Sequence, residues 1–301
     1  MGENQWCLRV HRSGAEEIRR RLLEEGILDR TLKIRPDGDE LLFPIHREIE
    51  GAERAEFEAL RQRADLPRHE LVGGIAILAE DDPAGAALIL KERPSVHTVL
   101  FAESAVEGEF RTKRFRVLAG QDTTATVHTE YGRTFWIDLE KAYFSARLAS
   151  ERQQIVTMMG DDEDVLDMFA GVGPFAVMLA AKARLVYACD LNPGAISLLI
   201  RNISQNKIQN VLPMLGDASS LAEIFGRRFD RVIMNLPLAT ESFLPAAFSL
   251  CKSGGMIHLY VLEADEDARD FGQLPIQSVC KRFVRSYAPG RSHQVYDIRV
   301  R

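Results

Sequence analysis

Five apolar, strand-like segments follow one another after Ser150: "EDVLDMFA", "ARLVYACD", "NVLPMLGD", "DRVIMNLP" and "GGMIHLYVLE". Helical segments separate them, and strands that alternate with helices in this way read as a doubly wound, mostly parallel sheet. No other feature of the chain narrows the fold as far. With 301 residues, 46% hydrophobic and 27% charged, the composition is ordinarily globular and leaves room for two or three domains.

Two smaller α+β domains are expected ahead of that sheet. Residues 1–47 open on a strand-like "WCLRV", continue with a helix from about Ser13 to Glu25, stop at Gly26 and end on "LKIRPDGDELLFPI", where "PDG" marks a hairpin turn. Ser13 with Glu16 three residues later is a capping-box signature. Residues 48–69 are polar, charged and without a broad apolar face, which reads as a partly helical linker. Residues 70–149 carry short apolar segments and end in "TATVHTEYGRTFWIDL", whose alternation around Gly132 reads as a hairpin. The sheet domain then takes residues 150–301.

No apolar run approaches the roughly 20 residues a membrane helix needs, and "MGENQWCLRVHRSG" lacks the apolar core of a signal peptide, so a soluble, cytoplasmic protein is expected. Cys7, Cys189, Cys251 and Cys280 are far apart and form no CxxC pair, and the histidines show no HxxxH; both facts argue against a disulfide framework or a metal site. The net charge of −6 argues against indiscriminate nucleic-acid binding. Two basic patches stand against it: Arg111, Lys113, Arg114 and Arg116 in "RTKRFR", and six basic residues with the single acidic Asp297 between Lys281 and Arg301. Each suits a phosphate-contacting surface or an ordinary solvated face.

In "VLDMFAGVGPFAVMLAAKA" Asp167 stands at a strand end, and Gly171 and Gly173 lie in the turn before an apolar helix. Glycines let the backbone pass close under a ligand at the carboxyl end of a strand, where open α/β sheets bind nucleosides. Asp190 follows 23 residues after Asp167, placed for ribose hydroxyls, and Asp217 ends the next strand, placed for an adenine amino group. Any one of these aspartates is equally a helix N-cap, but three in succession after DxFxGxG point to a nucleoside. GxGxxG would need glycine at Ala176, and no GKS or GKT follows, so the turn is not a phosphate cradle. An acidic rim without a phosphate loop suits a cationic, phosphate-free nucleoside, and S-adenosylmethionine is that cofactor. Phe169 and Leu191 flank these positions, and Asn235 and Pro237 at the end of the fourth strand complete the expected cofactor set.

That fourth strand, "DRVIMNLP", is halted by Asn235, Leu236 and Pro237. Methyltransferases of exocyclic amines on this fold usually carry Asn or Asp followed by Pro-Pro-aromatic there, the ring stacking on the target base. The ring is missing here, which points to a different acceptor. Taken with "FRTKRFRVLAG", "DLEKAYFSARLASERQQI", "DMFAGVGPF", "DLNP", "IMNLP" and "VRSYAPG", the chain resembles along essentially its whole length the archaeal and eukaryotic tRNA (guanine-N1)-methyltransferases acting at position 37, with the related wybutosine-pathway transferases. Ala146 departs from the family's usual proline in "YFSPRL".

The resemblance implies an α/β fold in which a C-terminal class I (Rossmann-like) methyltransferase domain follows the two small α+β domains. It implies Glu151 as general base, Arg111 as the contact to guanine O6 and Asn235 as the amide that holds the base. Tyr143, Arg147, Arg152, Lys113 and Arg114 are the implied tRNA contacts. These residue types suit the chemistry, because guanine N1 carries a proton at neutral pH: a carboxylate must remove it while a guanidinium answers the charge developing on O6. Taken singly, Glu151 is equally a surface helix residue, Arg111 a phosphate contact, and Asn-Leu-Pro a strand end.

A monomer acting on tRNA is implied, gripping the anticodon stem-loop and outer corner, with both basic patches on phosphates and the target base flipped out. Three alternatives stay open: additional methylation of a wyosine precursor at carbon, aminocarboxypropyl transfer to the tricyclic base, and a non-catalytic RNA-binding role. "MNLP" favours methyl transfer over the second. Retention of Asp167, Asp190, Glu151 and Arg111 together speaks against the third.

Overall fold

The computed structural model describes residues 3–60, 64–104, 108, 110, 112–237, 241–264 and 269–301. The chain forms two compact units, Met1–Asp65 and Leu66–Arg301.

In the first unit β1 (Glu3–His11), α1 (Ala15–Glu24), β2 (Arg35–Asp37), β3 (Glu40–Ile45) and β4 (Ala52–Phe57) follow in the chain, and the strands lie in the order β2-β3-β1-β4, all antiparallel. Leu22 of α1 is fully buried in one cluster with Phe43 and Ile45 of β3. Gly26 closes the helix at φ +66°, which lets the Ile27 N–H return to Leu22 O at 2.9 Å. The expected capping box does not form. α1 begins at Ala15 after a 3-10 turn, Arg12–Gly14, so Ser13 sits too early; its N–H donates to His11 Nδ1, and Glu16 pairs with Arg19 instead.

The linker expected at 48–69 is corrected in its first half, because β4 takes the free edge of β1, with Arg54 over the Trp6 ring and Phe57 buried. "AERAEF" offers one face only Ala55 and Phe57 and the other only Ala52 as apolar residues. Its strand state is set by the open edge it pairs with rather than by its own pattern.

The second unit opens with β5 (His69–Val72), β6 (Ile75–Leu78), α2 (Pro83–Glu92), β7 (Thr98–Ala102) and β8 (Phe115–Gly120), a sheet in that strand order with β6 and β7 parallel across the α2 crossover. β9 (Ala125–Glu130) and β10 (Arg133–Asp138) form a hairpin whose two turn residues, Tyr131 and Gly132, both have positive φ, as a type I′ turn requires.

α3 (Ala149–Met158), β11 (Glu163–Asp167), α4 (Pro174–Leu179), β12 (Ala183–Asp190), α5 (Pro193–Gln205) and β13 (Val211–Leu215) come next. α6 (Leu221–Phe225), β14 (Phe229–Met234), α7 (Leu244–Leu250), β15 (Cys251–Ala264), β16 (Ile276–Ala288) and β17 (Arg291–Val300) complete the chain. Their sheet runs β13-β12-β11-β14-β15-β17-β16, with the first five strands mutually parallel, β17 antiparallel to both its neighbours and β16 running in the direction of the first five. Successive strand residues alternate between two buried layers: Leu166, Val232 and Ile257 face one, Val165, Val186 and Ile233 the other.

Residues 70–149 were expected as a domain of their own, and the packing corrects this. Val72, Ile75, Leu100, Phe135 and Ile137 share one core with Val172, Val177 and Ala195. Asn202 of α5 accepts the Trp136 N–H at 2.7 Å and donates to the Trp136 carbonyl at 3.1 Å; Asn206, one helical turn on, does the same for Thr134 at 2.9 and 2.7 Å. Two side-chain amides thus satisfy the backbone of β10 much as a neighbouring strand would. The basic tail is corrected as well: Lys281 to Arg301 lies on β16 and β17, and β17 is buried between β15 and β16. Among the described residues no helix is long and apolar enough to cross a membrane.

Candidate functional site

Strand order reverses between β11 and β14, and open α/β sheets bind ligands beyond the carboxyl ends of such a pair. Asp167, the last residue of β11, is 1% exposed, and among the described residues neither of its carboxylate oxygens has a hydrogen-bond partner of good geometry. Burial pushes its pKa up to about 7, opposed by the nearby N–H groups of Phe169 and Ala176 and helped by the charge of Asp190. A buried carboxylate without a donor is costly, and it fits a donor or cation that a ligand brings to this edge.

The glycine turn follows directly. Gly173 has φ +87°, and a Cβ there would lie 2.2 Å from Leu199 Cδ1 of α5. The Gly171 N–H, from a residue at φ +55°, donates to Asp190 Oδ2 at 2.7 Å, while the Asn192 N–H donates to Oδ1 at 2.9 Å. Burial raises the Asp190 pKa against these N–H groups. With the Leu191 N–H also acting on it, the carboxylate still keeps an open lone pair for a ligand hydroxyl. Asn192 caps α5 through the N–H groups of Gly194 and Ala195, and Leu191 is exposed beside it. Phe169 is half-buried, edge-on to Phe243 with centroids 4.9 Å apart. Asp217 is exposed and caps a 3-10 turn through the Ser219 N–H at 2.8 Å. An orphaned buried carboxylate, a second carboxylate with an open lone pair and no phosphate loop fit S-adenosylmethionine.

Glu151 lies in the first turn of α3 and is only 4% exposed. Its Oε1 accepts from the Tyr260 hydroxyl at 2.9 Å and from Arg282 Nη2 at 2.8 Å; its Oε2 accepts from Arg282 Nη1 at 3.1 Å. Arg282 also donates through Nε to Asp297 Oδ2 at 2.5 Å, and the two carboxylates raise its pKa against burial. Burial together with the Glu151 charge raises the Tyr260 pKa well above the ordinary value, so this hydroxyl stays a donor. Tyr260 is one residue past the Met234↔Leu259 pair of β14 and β15, and Asn235 is one residue past it on the other strand. Register therefore brings Glu151 to the same carboxyl edge as Asn235, and Asn235 to that of Asp167, since Asp167 pairs with Ile233. Asn235 and Pro237 are half-buried, and the Pro237 carbonyl accepts from the Leu262 N–H at 3.4 Å.

Other expected contacts fare differently. Arg152, expected to meet substrate, is 1% exposed and clamped by Glu130 at 2.6 and 2.5 Å, because the face of α3 that carries it packs inward against Phe144 and Phe175. It is a structural charge. Arg147 is exposed and pairs with Glu70 at 2.9 Å, and Tyr143 is 48% exposed. Lys113 is half-buried and Arg114 exposed, while Arg116 is tied to Asp81 and Glu103. Arg111 lies outside the described residues. In the tail, Arg282 is held by Glu151 and Asp297, and Lys281 pairs with Glu263 at 3.1 Å, so two of the six basic residues of the expected phosphate patch are engaged internally. Tyr260 and Arg282 were missed. Their one signal was polar His258 and Tyr260 at alternate positions of the otherwise apolar run from Met256 to Leu262.

A sheet of this order, with acid in place of a phosphate loop at the ends of β11 and β12, is that of a class I, S-adenosylmethionine-dependent methyltransferase. Likeness to known proteins narrows the class. Residues 126–284 match the TRM5/TYW2 methyltransferase domain, and residues 7–53 match the tRNA methyltransferase 5 N-terminal domain. The chain is 37% identical to the tRNA (guanine(37)-N(1))-methyltransferase Trm5b of Pyrococcus abyssi over 98% of each chain. Its structure is similar to that of aTrm5 in complex with tRNALeu, with a TM-score of 0.76 and 30% identity over 98% of this chain and 99% of that one. Methanocaldococcus jannaschii TYW2 in complex with AdoMet is similar over 77% of this chain and 98% of its own, at 27% identity and a TM-score of 0.58. The chain belongs to the TRM5/TYW2 methyltransferase family.

Proposed function

We propose that this protein methylates guanine N1 at position 37 of tRNA, with Glu151 as the base. The observation that carries the reading is the place of Glu151: a buried carboxylate at the sheet edge it shares with Asp167 and Asn235. The choice among family members is supported by extent of likeness, since the Trm5 structure covers 98% of this chain and the TYW2 structure 77%, and residues 7–53 match an N-terminal domain named for Trm5.

When bound, S-adenosylmethionine supplies an electrophilic methyl group. Asp167 and Asp190 bind the cofactor at the carboxyl ends of β11 and β12, and the Gly171–Gly173 turn leaves room beneath it. The amide of Asn235 holds the guanine edge. Glu151 would take the proton from guanine N1, freeing the N1 electron pair for the methyl group that the bound cofactor would supply. Arg111 answers the charge on O6. A positioned general base contributes about 10²- to 10⁴-fold, the loss expected for Glu151→Gln with cofactor and tRNA binding retained.

The test is incubation with labelled S-adenosylmethionine and tRNA transcripts bearing G or A at position 37, followed by nucleoside analysis. Labelled 1-methylguanosine from the G transcript alone is the expected result. Absence of transfer to either transcript overturns the reading, and label in both shows a different target.

A further inference from the structure

We infer that Arg282 is the positioning residue of the transfer: it fixes the Glu151 carboxylate so that Oε2 alone keeps an open lone pair, and that oxygen receives the proton of the acceptor base. The inference rests on the reading of Glu151 as base.

A carboxylate oxygen has two lone-pair sites. Oε1 of Glu151 has both filled, by the Tyr260 hydroxyl at 2.9 Å and Arg282 Nη2 at 2.8 Å. Oε2 has one filled, by Arg282 Nη1 at 3.1 Å. The remaining direction is the one through which a proton can arrive.

Arg282 is itself braced from behind. Its Nε and Nη2 donate to Asp297 at 2.5 and 3.2 Å, and Asp297 Oδ1 lies 2.6 Å from His258 Nδ1. The other ring nitrogen of His258 is 2.5 Å from Arg231 Nη1, a group that can only donate, so His258 is assigned as the neutral tautomer with its proton on Nδ1. Arg231 is anchored by Glu163 at 2.7 and 2.9 Å. This buried chain of alternating partners runs from β11 through β14, β15 and β17 to β16 and holds the guanidinium between Asp297 and Glu151.

The arrangement answers a chemical requirement. A buried isolated carboxylate favours its neutral form, which cannot take a proton, whereas a contacting guanidinium favours the ionised form. The other titratable groups facing this point are silent near neutral pH. Tyr260 stays protonated, burial lowers the His258 pKa, and burial with the Arg285 charge pushes that of His293, whose ring centroid is 5.7 Å from Tyr260, to about 4. Asp297 is held below the ordinary range by His258 and Arg282 despite its burial, and Arg152 on α3 is taken by Glu130.

The test compares single-turnover methylation of a G37 transcript by the full-length wild type, Arg282→Gln, Arg282→Lys and Glu151→Gln between about pH 5.5 and about 8.5. For Arg282→Gln about tenfold more activity is expected to be lost at the acid end of the rate profile than at the alkaline end, with cofactor and tRNA dissociation constants unchanged. Arg282→Lys, which keeps the charge but cannot bridge both oxygens, is expected to retain the wild-type acid limb with a plateau lowered by about tenfold. A uniform loss across pH in Arg282→Gln, or a wild-type plateau in Arg282→Lys, overturns the inference; the second comparison stands even if the glutamine variant fails to fold. Glu151→Gln separates the two readings. If it turns over normally the base assignment fails, and if it is inactive while the Arg282→Gln profile parallels the wild type, only the role of Arg282 fails.

Discussion

Two places on one sheet edge hold buried carboxylates in opposite ways. At the end of β11, Asp167 has no well-placed donor among the described residues, and burial lifts its pKa to about 7. Beside β15 and β16, Glu151 is nearly as buried but accepts three hydrogen bonds from Tyr260 and Arg282. The contrast separates a socket from a reagent. An unpartnered buried group costs about 1–3 kcal/mol, a cost a binding edge recovers when a ligand supplies the donor. A proton acceptor must be ionised and aimed before its substrate arrives, so its partners are built into the chain. Arg152, next to Glu151 on α3, shows the built-in pairing without chemistry: its bond to Glu130 locks the helix to β9.

Breaking the built-in side should have the largest effect. Arg152→Met leaves Glu130 buried without its cation and is expected to lower stability by about 3–5 kcal/mol in denaturant unfolding, with Glu130→Gln in the same chain recovering much of it. Unchanged stability with weakened tRNA binding would instead return Arg152 to the substrate surface.

Changing the socket should act on the ligand. Asp167→Asn is expected to weaken cofactor binding by about 10- to 100-fold in titration calorimetry, from loss of a charge-assisted hydrogen bond. It should also alter the pH dependence of the ligand-free protein. The folded pKa of about 7 lies above the ordinary 3.8, so the Asp167 contribution to stability is full below about pH 4 and is lost as pH rises through about 7. A shift of about three units corresponds to on the order of 4 kcal/mol. The asparagine variant should therefore gain on the wild type across that window, and parallel stability curves would mean that Asp167 has a partner before the cofactor binds.

The smallest effect belongs to the surface, where the same contrast recurs. Arg116 is held by Asp81 and Glu103, whereas Arg114 is exposed and has no ion pair among the described residues. Arg114→Ala should reduce the salt slope of tRNA binding by about one and Arg116→Ala by less. Equal effects would show that Arg116 leaves its carboxylates for phosphate.

Much of the fold was legible because its signals are local. The five parallel strands are apolar runs, the Tyr131-Gly132 hairpin is set by alternation and a glycine, and Gly26 ends α1 through its own φ. β4 was not legible, since "AERAEF" becomes a strand only against the free edge of β1. β16 and β17 were hidden by their charge, because Lys281, Arg282 and Asp297 look solvated in sequence and find their partners only in the sheet. The cofactor side was readable for the same reason as the strands: acid at strand ends and glycine in the turn are fixed by spacing. Asp217, at the third strand end, caps its own turn through one carboxylate oxygen.

The amino-acid sequence by itself determined a doubly wound sheet, the glycine turn after β11, the acids at its rim and the family motifs around Glu151. Tertiary structure alone decided which charges are spent and which are kept. Glu151 and Arg152 are adjacent in the chain, yet one is paired with Arg282, 131 residues away, and the other with Glu130, 22 residues away. Helix periodicity assigns a residue to a face, but the partner waiting on that face comes from strands whose order is settled only when the sheet closes. Ion pairing acts over a few ångströms, so it becomes definite only after folding has brought those distances about.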